Sequence, residues 1–376
     1  LRSVWLAAIV LGALAVATGL LPAHDALSLT RSVAPVLAFL LGITVLAELA
    51  DRAGVFSAAA RLAARAGRGS TRRLFLLMAA LAALTTVFLS LDTTAVLLTP
   101  VVLTLADDAA LDPLPFALLA VWLANTASLL LPVSNLTNLL AIGRLHLSST
   151  AFATHLGAPE AVAVVVPVLL LWARFRGSLA GTYRLAPARP PTDRTLFVVG
   201  CLACAVIGPA VLAGVTPWQV ALPAAGALAA VTAWRDREAI RAHLVPWRLI
   251  LLVEGLFLVV SAAGRHGLDH LLADAAGHGV LRSAAVGAAA SNAVNNLPAY
   301  LALARVAHGQ LQLFGVLLGT NVGPLITVYG SLATLLWRER CAARGLRIGA
   351  GQFARLGALL VPALVVATWG ALVLTA

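Results

Sequence analysis

Lysine is absent from the 376-residue chain, so all 26 of its cationic side chains are arginine. Charge of either sign is scarce, at 11% of residues against 61% hydrophobic, and the mean hydropathy is +0.97. A water-soluble domain of this length needs roughly a quarter of its residues charged. The scarcity therefore excludes a soluble globular protein and points to a chain solvated by lipid. Three cysteines (Cys201, Cys204 and Cys341) are too few for a disulfide framework. Cys201 and Cys204 share a helix face but sit on a peripheral segment, and they read as small apolar packing. The eight histidines lie in loops without metal-ligand spacing, and no HExxH, Ser/His or paired-Asp constellation occurs, so no enzyme, metal centre or cofactor is expected. The net charge of +11 does not mark a nucleic-acid binder, because the arginines cluster in short loops between apolar runs. Arginine and alanine richness with a single methionine suits a high-GC bacterial genome and a bacterial inner membrane.

Apolar runs of about 20 residues span a bilayer. Nine are expected, at roughly 3–22, 31–50, 115–140, 158–175, 195–213, 218–233, 247–263, 309–336 and 356–375. The first of these is long enough to be a span rather than a cleaved signal. Two further apolar stretches, 73–106 and 279–305, are interrupted by polar clusters: Ser90-Leu91-Asp92-Thr93-Thr94 and Ser291-Asn292-Ala293-Val294-Asn295-Asn296. Each is followed by a proline, Pro100 or Pro298, and both read as re-entrant helical hairpins. With that reading, Arg2 and the loops 51–73, 174–194, 234–248 and 338–355 share one side and hold 21 of the 26 arginines. The arginine-rich side is the cytoplasm, which puts the N-terminus inside.

An internal repeat is visible directly. NTASLLLPVSNLTNLL at 125–140 aligns with NVGPLITVYGSLATLL at 321–336, pairing Asn125 with Asn321, Leu129 with Leu325 and Leu136 with Leu332. The two copies run in opposite directions across the membrane, which is the inverted-repeat architecture of secondary transporters. The expected fold is therefore an all-α polytopic membrane protein of two inverted repeats, each with a re-entrant hairpin and a broken transmembrane helix. The repeats occupy 1–175 and 195–376, with 176–194 as a cytoplasmic linker. The second repeat has three helices before its hairpin and the first only two, so one further N-terminal helix is expected upstream.

Half-helix ends expose unpaired N–H and C=O groups at mid-membrane, where substrates and ions bind. Two hairpin tips and two breaks supply four such places. Asp92 is the acid of this layer and reads either as a proton site or as the N-cap of the hairpin's second helix. Asn292, Asn295 and Asn296 at the other tip carry the same two readings. Thr93, Asn125, Thr126, Ser134, Asn135 and Asn138 in the first half, and Thr320, Asn321, Thr327, Ser331 and Thr334 in the second, both donate and accept hydrogen bonds. Glu254 reads as an ion-paired or snorkelling acid.

The segments LSLDTTAVLLTPVV, ANTASLLLPVSNLTNLLAIGRL, SNAVNNLPAYLA and LGTNVGPLITVYGSLATLLW resemble the arsenite/antimonite efflux permeases, the arsenical pump membrane proteins of the ion-transporter superfamily. The resemblance covers the chain from about residue 31. It implies proton-coupled export of trivalent arsenic or antimony, a homodimer in the bilayer and, for some members, a soluble ATPase partner. It also carries over Asp92, Asn125, Thr126, Ser134, Asn135, Asn138, Asn295, Asn296, Thr327, Ser331 and Thr334 as site positions. The chain departs from the pattern at Leu91, where the family often has Asn, and at Asn321-Val322-Gly323-Pro324, where an acid often precedes Gly-Pro. The alternative is a sodium- or proton-coupled permease for another small anion or inorganic solute, such as a dicarboxylate.

Overall fold

The computed structural model describes residues 4–185, 193–236, 240 and 244–375; Arg2, Arg189, Arg237 and Arg241 lie outside them. The described residues form helices joined by turns and irregular chain, with one isolated bridge between Ser70 and Thr182 and no strand. Helix α1 (Val4–Ala17) leads into α2 (Ala23–Arg52), α3 (Val55–Ala66) and α4 (Thr71–Phe88). A tip at Leu89–Ser90 reverses the chain into α5 (Leu91–Thr93), which continues through a π-helical turn (Thr94–Leu98) into α6 (Thr99–Asp108). Next come α7 (Pro113–Thr126), α8 (Leu136–Leu145), α9 (Ser149–Arg174), α10 (Arg194–Leu212) and α11 (Pro217–Arg235). Then α12 (Trp247–Ala263) kinks at Gly267 into α13 (Asp269–Ala276). The second hairpin is α14 (Val280–Val294) and α15 (Asn296–Val306). The chain closes with α16 (Gln310–Val322), α17 (Leu332–Ala343) and α18 (Ala350–Thr375).

Six helices among the described residues are long and apolar enough to cross a membrane: Ala23–Arg52, Thr71–Phe88, Ser149–Arg174, Arg194–Leu212, Trp247–Ala276 and Ala350–Thr375. The expected spans 115–140 and 309–336 are instead each two shorter helices, α7 with α8 and α16 with α17, joined by irregular chain. The expected span 158–175 begins earlier, at Ser149, where Ser148 accepts the Ala151 N–H as N-cap. Leu84, Leu202, Leu359 and Val366 are exposed on outer helix faces, as lipid contact requires.

Small residues set the packing, since helices in lipid associate by close van der Waals approach. A Cβ at Gly255 of α12 would stand 2.4 Å from the Ala8 carbonyl carbon of α1. One at Gly42 of α2 would meet the Ala221 backbone of α11 at 2.8 Å, and one at Gly319 of α16 the Ala284 carbonyl of α14 at 2.0 Å. The largest buried cluster joins both hairpins to α7, α9, α16, α17 and α18. Within it the Trp337 indole donates to the Ala117 carbonyl at 2.9 Å and ties α17 to α7. A second cluster lies between α2, α3, α10 and α11.

Candidate functional site

Each hairpin reverses at one residue in a backbone conformation that L side chains rarely adopt. Ser90 has φ 151° and Asn295 has φ 94°. Such strain persists only where surrounding structure holds it, and it collects at functional positions. Both residues are also N-caps. The Ser90 hydroxyl accepts the Thr93 N–H at 3.2 Å, and the Asn295 side chain accepts the Leu297 N–H at 3.3 Å. The breaks restart in the same way. Asn135 accepts the Thr137 N–H at 3.2 Å, and Ser331 accepts the Thr334 N–H at 3.1 Å. Four helix N-termini, each with its positive dipole end, are thus capped by Ser or Asn.

The tips and breaks touch. Ser134 donates to the Val87 carbonyl beside the first tip at 2.9 Å. Asn295 donates to the Tyr329 carbonyl at 3.0 Å, and the Asn296 N–H donates to the Gly330 carbonyl at 2.8 Å. Between them lies a cavity of about 350 Å³ lined by Asp92, Asn135, Asn295, Asn296 and Tyr329, with apolar walls that include Leu252 of α12. Asp92 is in the second position of α5, so the cap is Ser90, which removes the N-cap reading of Asp92. Among the described residues its carboxyl has no hydrogen bond and no ion pair.

Behind the cavity the two breaks are stitched together. The Asn321 side-chain oxygen accepts from Asn135 at 3.0 Å and from Thr137 at 2.7 Å, while its amide donates to Asn138 at 2.8 Å. Asn125 donates to Thr334 at 3.3 Å, and the Ser331 and Thr334 hydroxyls are 2.9 Å apart. Asn125, Asn135, Asn138, Asn321, Ser331 and Thr334 are therefore brought together, and all are buried. Thr93 stays local, 3.1 Å from the Ser90 hydroxyl, and Thr320 donates within its own helix to Val316. Thr126 is buried, and among the described residues its hydroxyl has no partner. Thr327 joins Asn292 instead, donating to the Asn292 carbonyl at 2.8 Å.

The two unwound stretches are held differently. In the second, the Asn292 side-chain oxygen accepts both the Ile326 and Thr327 N–H groups, at 3.0 and 2.8 Å, and its amide donates to the Gly323 carbonyl at 2.7 Å. In the first, Glu160 of α9 accepts the Leu129 N–H at 2.9 Å, and Asn138 donates from the other side to the Ser128 and Leu131 carbonyls at 2.6 and 3.0 Å. Sequence reasoning missed Glu160 and Ser128. Glu254, expected to be ion-paired or to snorkel, is instead hydrogen-bonded by Thr30 of α2.

The chain is 28% identical over 392 residues to an Escherichia coli arsenical pump membrane protein, covering 96% of this chain and 91% of the relative. A Yersinia enterocolitica protein of the same description is 27% identical over 99% of this chain and 94% of its own length. A Mycobacterium tuberculosis protein described as an uncharacterized transporter is 27% identical over 86% of this chain and 82% of its own. Among solved structures, the Alcanivorax borkumensis YdaH transporter shares the fold, with a TM-score of 0.59 over 94% of this chain and 89% of that one at 15% identity. The CitMHS citrate transporter family matches residues 2–331, and this chain, a multi-pass membrane transporter, belongs to it.

Proposed function

We propose that this transporter exports arsenite or antimonite from the cytoplasm of a bacterial cell, coupled to the proton gradient, and that the four capped half-helix ends form its binding site. One observation carries the reading. The cavity between tips and breaks presents the amides of Asn135, Asn295 and Asn296, the Tyr329 phenol and one unpaired carboxyl, and among the described residues no arginine lines it. Arsenous acid is a small neutral polyol near pH 7, which such groups suit. A di- or tricarboxylate calls for charge-assisted bonds, most often from arginine. The names of the bacterial relatives support the same substrate class. Asp92, open to the cavity without a cation, is the group to exchange the coupling proton. The residues 1–175 and 195–376 act as inverted repeats that alternate access to this site, with 176–194 as a cytoplasmic linker, the hairpins re-entrant and the N-terminus inside. A homodimer, and a soluble ATPase partner, belong to the same reading by resemblance.

The test is uptake of arsenite into everted membrane vesicles with an imposed proton gradient. Saturable, protonophore-sensitive uptake is the expected result. Gradient-driven movement of citrate, with arsenite neither carried nor competing, would replace this reading with the carboxylate one.

A further inference from the structure

Glu160 has an unusual setting. It is 5% exposed and lies eleven residues into α9, about 17 Å from that helix's start at 1.5 Å per residue, which is near the middle of a bilayer about 30 Å thick. Its Oε2 accepts the Leu129 N–H, and among the described residues its Oε1 has no partner. Among the described residues, no charged side chain interacts with it. The other ionisable group on the described part of that helix's buried half is His155, whose ring is engaged with the Ala151 carbonyl and Gln310. Elements packed against α9 are α4, α7, α10, α16 and α18, and among the described residues none directs an acid or base at the Glu160 carboxyl. A buried carboxyl costs several kcal/mol when charged and unpaired, so apolar packing alone does not account for it.

The second half of the chain shows what packing alone looks like. At the offset that pairs Leu129 with Leu325, Glu160 falls on Leu356, beside Gly357 of α18. There the helix backbone lies directly on the Leu325 carbonyl, with a Cβ on Gly357 only 1.8 Å from that oxygen. The same place on the two unwound stretches is thus covered by bare backbone in one half and by a carboxyl in the other.

We propose that Glu160 is a second proton-exchanging position, acting as a positioning residue for the first unwound segment; the inference rests on the proton-coupled reading above. A hydronium ion gives up a proton to the unpartnered Oε1, its own O–H bond breaking to leave water as the carboxyl O–H bond forms, while Oε2 keeps the Leu129 N–H. On release that O–H bond breaks, the proton returns to water, and the carboxylate anion holds the Leu129 N–H more strongly, as charge-assisted bonds do. The segment 128–131 is held from its opposite side by Asn138, itself bonded to Asn321, so the change in grip passes to the asparagine cluster.

Two measurements test this. In pH-difference infrared spectra of the purified protein, Glu160→Gln removes a titrating carboxyl band, and Asp92→Asn removes a different one. In everted vesicles, Glu160→Gln lowers gradient-driven arsenite uptake at least about tenfold, leaves exchange of labelled arsenite at equal pH within about threefold, and flattens the pH profile. Glu160→Asp restores part of the gradient response. Gln retains the acceptor for Leu129, so a merely structural role leaves all these readouts unmoved. If Glu160→Gln loses no titrating band, or pumps with a normal pH profile, the proposal is overturned. If the unsubstituted protein moves no arsenite, the substrate reading fails instead, and the infrared band still judges Glu160.

Discussion

The two unwound segments are built from matching sequence but latched by different chemistry. An amide, Asn292, grips the second through two backbone N–H groups and one carbonyl; a carboxyl, Glu160, grips the first through a single N–H. An amide neither gains nor loses a proton, so the second segment is held identically at every pH. A carboxyl changes its grip with its charge. Asp92 and Glu160 are both in the first half, whereas the second unwound segment is met by the Asn292 amide and the Gly357 backbone. The difference teaches that two segments of matching sequence can be held by groups that answer protons differently, one by an amide and the other by a carboxyl.

The largest expected effect is on the second segment. Asn292→Ala strands two N–H groups and a carbonyl, and about 3 kcal/mol of stability should be lost. Thermal unfolding in detergent measures it. Glu160→Gln keeps its one bond and should cost under about 1 kcal/mol; a larger loss there than at Asn292 would break the comparison. Next comes Gly357→Ala, whose Cβ has no room beside the Leu325 carbonyl and should cost about 2 kcal/mol. Gly157→Ala in α9, where nothing lies within 4 Å, is the neutral control.

At the tips, Ser90→Ala should cost about 1 kcal/mol as a lost cap, whereas Asp92→Asn should leave stability nearly unchanged and reduce gradient-driven transport. The reverse order would return the cap to Asp92. The smallest effect lies outside both segments. Asp193 caps α10 through the Thr195 and Leu196 N–H groups and pairs with Arg235 at 2.8 Å. The Arg235 hydrogen bond, with those N–H groups, holds its carboxyl below the usual aspartate range. A depressed pKa contributes stability above the unfolded value and loses it as pH falls through the folded one. Asp193→Asn should therefore slightly lower the melting temperature at neutral pH and leave it unchanged in acid.

The hairpin tips and breaks were legible as polar clusters inside apolar runs, because a bilayer tolerates such clusters only where chain irregularity needs them. Which polar residue caps a tip was not legible: Ser90 and Asp92 are both good caps two positions apart, and only the backbone turn at Ser90 decides between them. Glu160 was hidden by a boundary. A span begun at 158 leaves the acid at a membrane surface, and starting α9 at Ser149 sinks it to the centre. Ser148, an ordinary N-cap residue ahead of the run, was the available signal. The bonds between Asn321 and the first break join residues 183 to 186 positions apart, a distance that local pattern does not reach.

The most direct test of this difference is amide hydrogen exchange across 127–135 and 323–331 as a function of pH, corrected for intrinsic exchange rates. Protection of the first segment should change with pH and lose that dependence in Glu160→Gln, while protection of the second stays constant throughout. Equal pH dependence in both segments, or none in either, would contradict the account.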